Sequence, residues 1–478
     1  MKILLPFLIV IPALAQRTGS VSTVQTPVPG ATTSVNTLNS SLQVQGTYAG
    51  STSSVAAHPF SGKLSLKEAI DRALGHNLGA IGLANAVRQA RGQERVSRSA
   101  LLPNLNGGIR DNYFTQDLQA LGIKIPFLPN VVGPVNYFDV RATLTQTLFD
   151  LGAVNNHRAT QEVVKANEQA VKDARDIVVL AAGGAYLQVI ASRARIESAK
   201  VQLETARAVY SQTLQRRQAG IAAQIEVNRS LVRQQTQQQR LATLENDLAR
   251  QKINLARLAG LPANDNYEIT DTATYSAPPA IPVDDAVKQA LETRADLKSA
   301  EAQVRAAERT RTAAKAERLP TFGLSADVGE IGPRLNQAEH TYTVVGSIKI
   351  PIWQGGRASG DIAQADASLD QRRAEADDLR GKIESDIRNA YLDLKAATSQ
   401  LELARNNQEL ASETLLLSKE KFDAGVTDSL EVTQAVESVA SSDLDAITAL
   451  FAHNLAKLSL ARALGDTETK LDAYLTVR

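Results

Sequence analysis

The chain is written twice. Residues Leu64-Ser65-Leu66-Lys67-Glu68-Ala69-Ile70 open a helical stretch that ends at Leu102-Pro103. Residues Ile281-Pro282-Val283-Asp284-Asp285-Ala286-Val287 open another that ends at Leu319-Pro320. Ala69 and Ala286 lie 217 residues apart, and so do Pro103 and Pro320. Further on, Tyr186 and Tyr391, Gly220 and Gly425, and Gly260 and Gly465 are each 205 apart. The shorter offset places extra residues in the first copy, mostly in a loop over residues 116–134. One long unit used twice follows, rather than a solenoid of short repeats. The copies occupy residues 62–261 and 281–466, joined by a Pro- and Asp-containing linker at 262–280 and followed by a tail at 467–478.

Each copy changes period after its Leu-Pro. Proline removes a donor and restricts the residue before it, so the helix stops there. Beyond it, residues 321–329 and 341–350 alternate polar and apolar side chains, with Val345 the one lapse. In the first copy Phe138, Val140, Ala142, Leu144 and Leu148 share one face, and Asp139, Arg141, Thr143, Thr145 and Thr147 share the other. Residues 104–114 alternate more weakly. Each copy therefore supplies two strands, at about 104–114 and 136–148, and at about 321–329 and 341–350. About ten residues is the length that crosses a bilayer at a tilt, with polar side chains towards a lumen. A half-buried hairpin on a soluble sheet would carry the same alternation.

Long helices follow. Residues 153–218 and 359–422 contain no Pro. In the second, Ile383, Ile387, Ala390, Leu394, Ala397, Leu401, Ala404, Ala411, Leu415 and Phe422 form a ladder of alternating fours and threes, interrupted by Gln408 and Ser418. That is a coiled-coil seam rich in alanine, which permits close helix approach. Such a helix is a rod of about 100 Å. After Gly220 or Gly425 a second rod returns, carrying Ala435, Val439, Ala446, Ala449, Ala456, Leu460 and Ala463 in the second copy. A long rod joined to a hairpin of membrane-crossing length suits a bridge across an aqueous compartment that ends in a pore. Four strands cannot close a barrel and open edges are not tolerated in lipid, so several chains must combine. Two chains give eight strands and three give twelve.

The N-terminus supports export. One Lys precedes an apolar run at residues 3–14, and Ala13-Leu14-Ala15 offers small residues where a signal peptidase cleaves, so residues 1–15 read as a signal peptide. The run is too short to span a bilayer and holds Pro6 and Pro12. The alternative is a buried first helix. Residues 16–61 are rich in Ser, Thr, Gly and Pro and nearly uncharged, which predicts a flexible leader. No later stretch reaches about 20 uninterrupted apolar residues; the best, at 177–191, contains Gly183 and Gly184.

Composition closes other routes. With 52 Lys+Arg against 51 Asp+Glu, no basic excess favours nucleic acid. The absence of Cys excludes thiolate metal sites, cysteine nucleophiles and a lipidated cysteine. The five histidines, His58, His76, His157, His340 and His453, have no metal-ligand spacing, and no phosphate loop or Gly-x-Ser-x-Gly elbow occurs, so catalysis is not expected. A soluble periplasmic coiled-coil adaptor or scaffold is the rival reading. It shares the rods but has no use for two alternating hairpins.

In the order and spacing of these marks the chain resembles the outer-membrane efflux protein family, the TolC-like channels. The resemblance runs from about Leu64 to Gly465 and rests on several features together. These are the duplication, the Leu-Pro before each hairpin, Leu148-Phe149-Asp150-Leu151-Gly152 and Ile352-Trp353-Gln354-Gly355-Gly356 leaving the strands, and the helix turns around Gly220 and Gly425. It implies a mainly α fold with a membrane β-barrel portion: a homotrimer forming a twelve-stranded barrel in the outer membrane and a periplasmic α-helical tunnel. It further implies a passive, gated duct that meets outer-membrane lipid, a periplasmic adaptor and an inner-membrane transporter. By the same resemblance Gly220, Ile221, Ala222, Gly425, Val426 and Thr427 would meet the adaptor. The pore would narrow at Glu431 and Gln434, six and nine residues after Gly425, with Glu226 the first-copy counterpart of Glu431. Gln434 departs from the family's second acid. Asp139, Arg141, Thr143 and Lys349 are expected in the barrel lumen, because charge towards lipid is costly; Arg141 and Lys349 could instead sit at the rim and snorkel.

Overall fold

The computed structural model describes residues 19–29, 36–52, 62–123, 126, 128–262, 267–272, 274–277, 281–424, 426–427 and 429–475. The expected signal peptide at 1–15 lies outside them. In chain order the elements are β1 (Ser20–Pro29), β2 (Asn36–Gln45), β3 (Lys63–Leu64), α1 (Leu66–His76), α2 (Leu78–Ser99), β4 (Asn104–Asp117) and β5 (Val131–Phe149). There follow α3 (Leu151–Gln218), α4 (Gln224–Leu258), β6 (Glu268–Ile269), α5 (Val283–Thr293), α6 (Ala295–Ala316), β7 (Thr321–Gly332) and β8 (Glu339–Lys349). The chain closes with α7 (Arg357–Asp423), α8 (Ser429–Leu464) and α9 (Leu471–Tyr474). Both long rods are present, 68 residues in α3 and 67 in α7, each with its shorter return helix. The strands are longer than the alternation predicts in β4, β5 and β7, because backbone pairing continues past the apolar band. The linker and the tail each hold a short element, β6 and α9.

Two compact units make up the chain. The first takes residues up to Ala84, Ala170–Ala295 and from Arg380 onward; the second takes Asn85–Gln169 and Asp296–Leu379. Large side chains fill the core of the first unit, with Leu64, Tyr186, Leu255, Leu455 and Leu458 all fully buried. The duplication is visible there in hydrogen bonds. The Tyr186 hydroxyl donates to the Leu64 carbonyl (2.9 Å) and the Tyr391 hydroxyl to the Ile281 carbonyl (2.9 Å). Each tyrosine thus ties its rod to the entry of its own copy. Burial, with the Asp271 carboxylate 2.9 Å away, pushes the Tyr186 phenol far above its usual range, so it stays a donor.

The first helical stretch of each copy is split, which the sequence pattern does not announce. The breaks fall at Asn77 and Arg294, again 217 residues apart, and both residues take extended backbone. Each break is satisfied by a buried side chain. The Asn77 amide donates to the Tyr48 carbonyl (2.8 Å) and accepts from the Gly79 amide (2.9 Å). The Arg294 guanidinium reaches the Ala463 carbonyl (3.4 Å) and Asp386 (3.5 Å).

The leader at 16–61 is not uniformly flexible. Within it β1 and β2 form a ten-rung antiparallel hairpin. Val21, Leu42 and Val44 pack on the core, and Ser459 donates to Thr23 (3.2 Å). Gly184 makes room for this docking: a Cβ there would stand 2.6 Å from the Leu42 side chain. Low charge and Ser/Thr content predict disorder only when no groove is waiting to take the few apolar side chains.

The seam ladder is buried as spaced through Ala411, and Leu415 and Phe422 are half-buried. Ile383, Ile387, Leu394, Ala397 and Leu401 are each at most 5% exposed. Gln408, which interrupts the ladder, donates to Asp443 of α8 (2.8 Å), and Ser198 of α3 donates to the same carboxylate (3.0 Å). The most apolar window of α3 is 72% buried within the protein, as a core helix requires. In the second unit Leu297 and Leu369 are buried among mostly small residues: Ala159, Ala166, Ala302, Ala306, Ala313 and Ala365 let helices approach closely.

Candidate functional site

Strands from both copies join in one antiparallel sheet of order β4-β5-β7-β8. Directly paired residues share a face, so the register sorts the paired side chains; irregularities at Phe114/Gln116 and Thr147/Phe149 leave Thr115 and Leu148 without a paired partner. One face carries Leu105–Leu144–Ala326–Val344 as a cross-strand row, with Ala142–Val328–Tyr342 beyond it and Phe322–Ile348 at the base. These side chains stand free: Leu105 and Ile109 are 72% exposed, Tyr342 76% and Ile348 62%. The row Val140–Glu330–His340 ends the apolar run on β7 and β8. From Phe322 to Glu330 is about 26 Å of strand, or about 20 Å of height at the ~40° tilt of outer-membrane barrel strands, which fits within their ~25 Å apolar band. Aromatics flank the band. Phe149 and Phe322 pair edge-to-face at its base (centroids 5.7 Å), Trp353 is 88% exposed in the segment leaving β8, and Tyr113 and Tyr342 lie towards the far end. This is the pattern of an interfacial aromatic girdle.

The opposite face is polar. Asn106, Thr143, Asp327 and Thr343 form one row, and Gly108, Arg141, Gly329 and Thr341 the next. Asp139, Arg141 and Thr143 therefore share the polar face, as expected of lumen residues. The Arg141 guanidinium clamps two carboxylates, Asp139 at 2.8 Å and Asp327. Asp327 belongs in that group. Its polar place in the alternation of β7 is the signal that could have found it. Lys349 falls on the same face in register with Thr321, apart from the clamp at the sheet's base. Neither β4 nor β8 has a further partner strand among the described residues, so both edges are open.

The helix turns form a second locus. The Gly220 backbone has φ +78°, its amide donates to the Arg217 carbonyl (3.0 Å), and the Ile221 amide donates to the Arg216 carbonyl (2.8 Å). That is a Schellman closure, and glycine takes the left-handed position at no cost. The Val426 amide repeats it on the Lys421 carbonyl (2.9 Å). Gly425 itself lies outside the described residues. Ile221 and Val426, equivalent in the two copies, are 78% and 77% exposed, whereas Ala222 is buried. Thr427 donates to the Glu431 carboxylate, whose other oxygen lies 3.4 Å from the Lys421 ammonium. The hydroxyl first and the ammonium second hold the Glu431 carboxyl below its usual range, so it is ionised. Glu226 sits half-exposed in the first turn of α4, and Gln434 is exposed in α8. Two contacts here join the copies and are not visible in the sequence pattern. The Arg216 guanidinium of α3 lies 4.0 Å from the Phe422 ring centroid of α7, and Arg233 of α4 reaches Glu437 of α8 (3.2 Å).

Comparison with known proteins now decides the family. The model of the outer membrane efflux protein family matches residues 70–261 and 286–466, one match for each copy. The chain belongs to the outer membrane efflux protein family. It is 24% identical to outer membrane protein OprJ of Pseudomonas aeruginosa over 84% of each chain, and 21% identical to outer membrane protein TolC of Salmonella enteritidis over 77% of this chain and 75% of that one. The outer membrane channel CmeC of Campylobacter jejuni superposes with a TM-score of 0.75 at 17% identity, covering 84% of this chain and 86% of that one. The fold is thus the TolC-like channel fold, a long-helix tunnel with a β portion. This efflux protein works in the outer membrane as a conduit for export. The soluble adaptor reading is not favoured, and the relatives are channel proteins rather than enzymes.

Proposed function

We propose that three copies of this efflux protein close their sheets into one twelve-stranded barrel and their helices into one tunnel, forming a passive, gated exit duct. The carrying observation is the four-stranded sheet with an exposed apolar face, a polar face and two open edges. Unpaired edges are prohibitively costly in lipid, so β4 of one copy must meet β8 of the next. Eight strands leave an interior filled by side chains, whereas twelve leave room for cargo. Asp139, Arg141, Thr143 and Lys349 then line the lumen.

The helix turns are the docking end. Ile221 and Val426 offer apolar side chains to a periplasmic adaptor, which also meets Gly220, Ala222, Gly425 and Thr427. An inner-membrane transporter supplies the energy. Three Glu431 carboxylates around a narrow pore, supported by Glu226 and with Gln434 beside them, attract cations and repel one another. No bound cofactor takes part in this reading. Cross-linking of detergent-purified protein, followed by planar-bilayer recording, tests it. A trimer with discrete conductance steps is expected. A monomer that never forms a pore would overturn it.

A further inference from the structure

The docked N-terminal hairpin creates a cavity of about 540 Å3 between β2 and the helices α3, α4 and α8. Its walls are of two kinds. Leu42 and Phe451 contribute apolar surface; Arg195, Arg257, Gln188 and Ser40 contribute polar groups. Among the described residues no Asp or Glu lines it. Arg195 donates to the Thr448 hydroxyl (3.2 Å). Burial, opposed by the field of Asp247, lowers its pKa below the usual guanidinium value, the mark of an under-compensated cation. The Arg257 guanidinium has no partner among the described residues; only its backbone carbonyl is engaged, by Ser51. Ser40 is 6% exposed, lines the cavity, and its hydroxyl has no hydrogen-bond partner.

A buried hydroxyl left unpaired costs free energy, and so does the Arg195 guanidinium, whose desolvation the field of Asp247 only partly offsets. One ligand would answer both. Its anionic head would take charge-assisted hydrogen bonds from Arg195 and Arg257, and its body would lie against Leu42 and Phe451. The volume falls in the ordinary range of small-molecule sites. We propose that this cavity is a binding site for a small organic anion with an apolar body, distinct from the duct and from the helix turns. Occupancy would bridge β2 to α3 and α4 and so hold the hairpin down.

The test is isothermal titration of the full-length protein in lipid nanodiscs with naphthalene-2-sulfonate. The controls are its neutral analogue naphthalene-2-sulfonamide and inorganic sulfate. Saturable binding at one site per chain is expected, weaker by about tenfold or more for either control. Arg257→Gln should weaken sulfonate binding about tenfold, with Arg257→Lys recovering part of it. Thermal melting of the same variants checks that they remain folded. No saturable binding, equal affinity for sulfonate and sulfonamide, or indifference to Arg257→Gln in folded protein would overturn the anion site. Sulfate binding as tightly as the sulfonate would overturn the apolar-body requirement. None of these readouts involves pore formation, so the site and the duct stand or fall separately.

Discussion

Val344 and Thr343 are neighbours on β8, and the register puts them on opposite faces of the sheet. Val344 is 63% exposed in the row with Leu105, Leu144 and Ala326. That row lies four residues, or about 13 Å, from both Phe322 and Glu330, so it is the middle of the apolar band. An arginine at midplane on a barrel's lipid face costs about 2–4 kcal/mol, whereas a lumen position bears little of that cost. Val344→Arg should therefore lose about 2–4 kcal/mol per chain. Thr343→Arg places the same side chain in register with Asp327, where it gains a countercharge and should cost under about 1 kcal/mol. The assay is urea-dependent folding into lipid vesicles, read by heat-modifiable migration, together with the yield of assembled protein in outer-membrane fractions. Equal losses for the two variants, or a larger loss for Thr343→Arg, would refute the assignment of the apolar face to lipid.

Three further outcomes are expected. His453 is fully buried, stacks on Tyr275 (5.2 Å), and is pushed down to about 4 by burial and by the charges of Lys457 and Arg405. The unfolded chain takes up that proton from about pH 6.5 downward and the folded chain does not, so stability should fall progressively between pH 6.5 and 4; the loss is at most about 3 kcal/mol and His453→Phe should abolish that part of the acid dependence in denaturant titrations. Glu431→Ala should raise single-channel conductance or lower cation preference in planar bilayers, and unchanged values would remove Glu431 from the constriction. Gly184→Val drives a side chain into Leu42 and should cost about 1–3 kcal/mol in melting experiments, with Leu42→Ala restoring part of it; an unshifted melt would contradict the docking of β2.

Much of this protein is legible in one dimension because its physics is local or periodic. The two-residue alternation of 321–329, the fours and threes of 383–422 and the fixed offsets of Ala69 and Ala286 or Gly220 and Gly425 determine the strands, the seams and the duplication without any fold in view. The burial of Ile383 and the face shared by Asp139, Arg141 and Thr143 follow from spacing alone. Only the tertiary structure decides what depends on partners distant in the chain. A leader of Ser and Thr becomes a hairpin because Gly184 leaves a place for Leu42. The helix breaks sit at Asn77 and Arg294 because buried acceptors await those side chains. Asp327 joins Asp139 through a pairing between copies that no period encodes. Short-range sterics and periodicity are written into every segment; the balance of burial and desolvation is set only when remote segments meet.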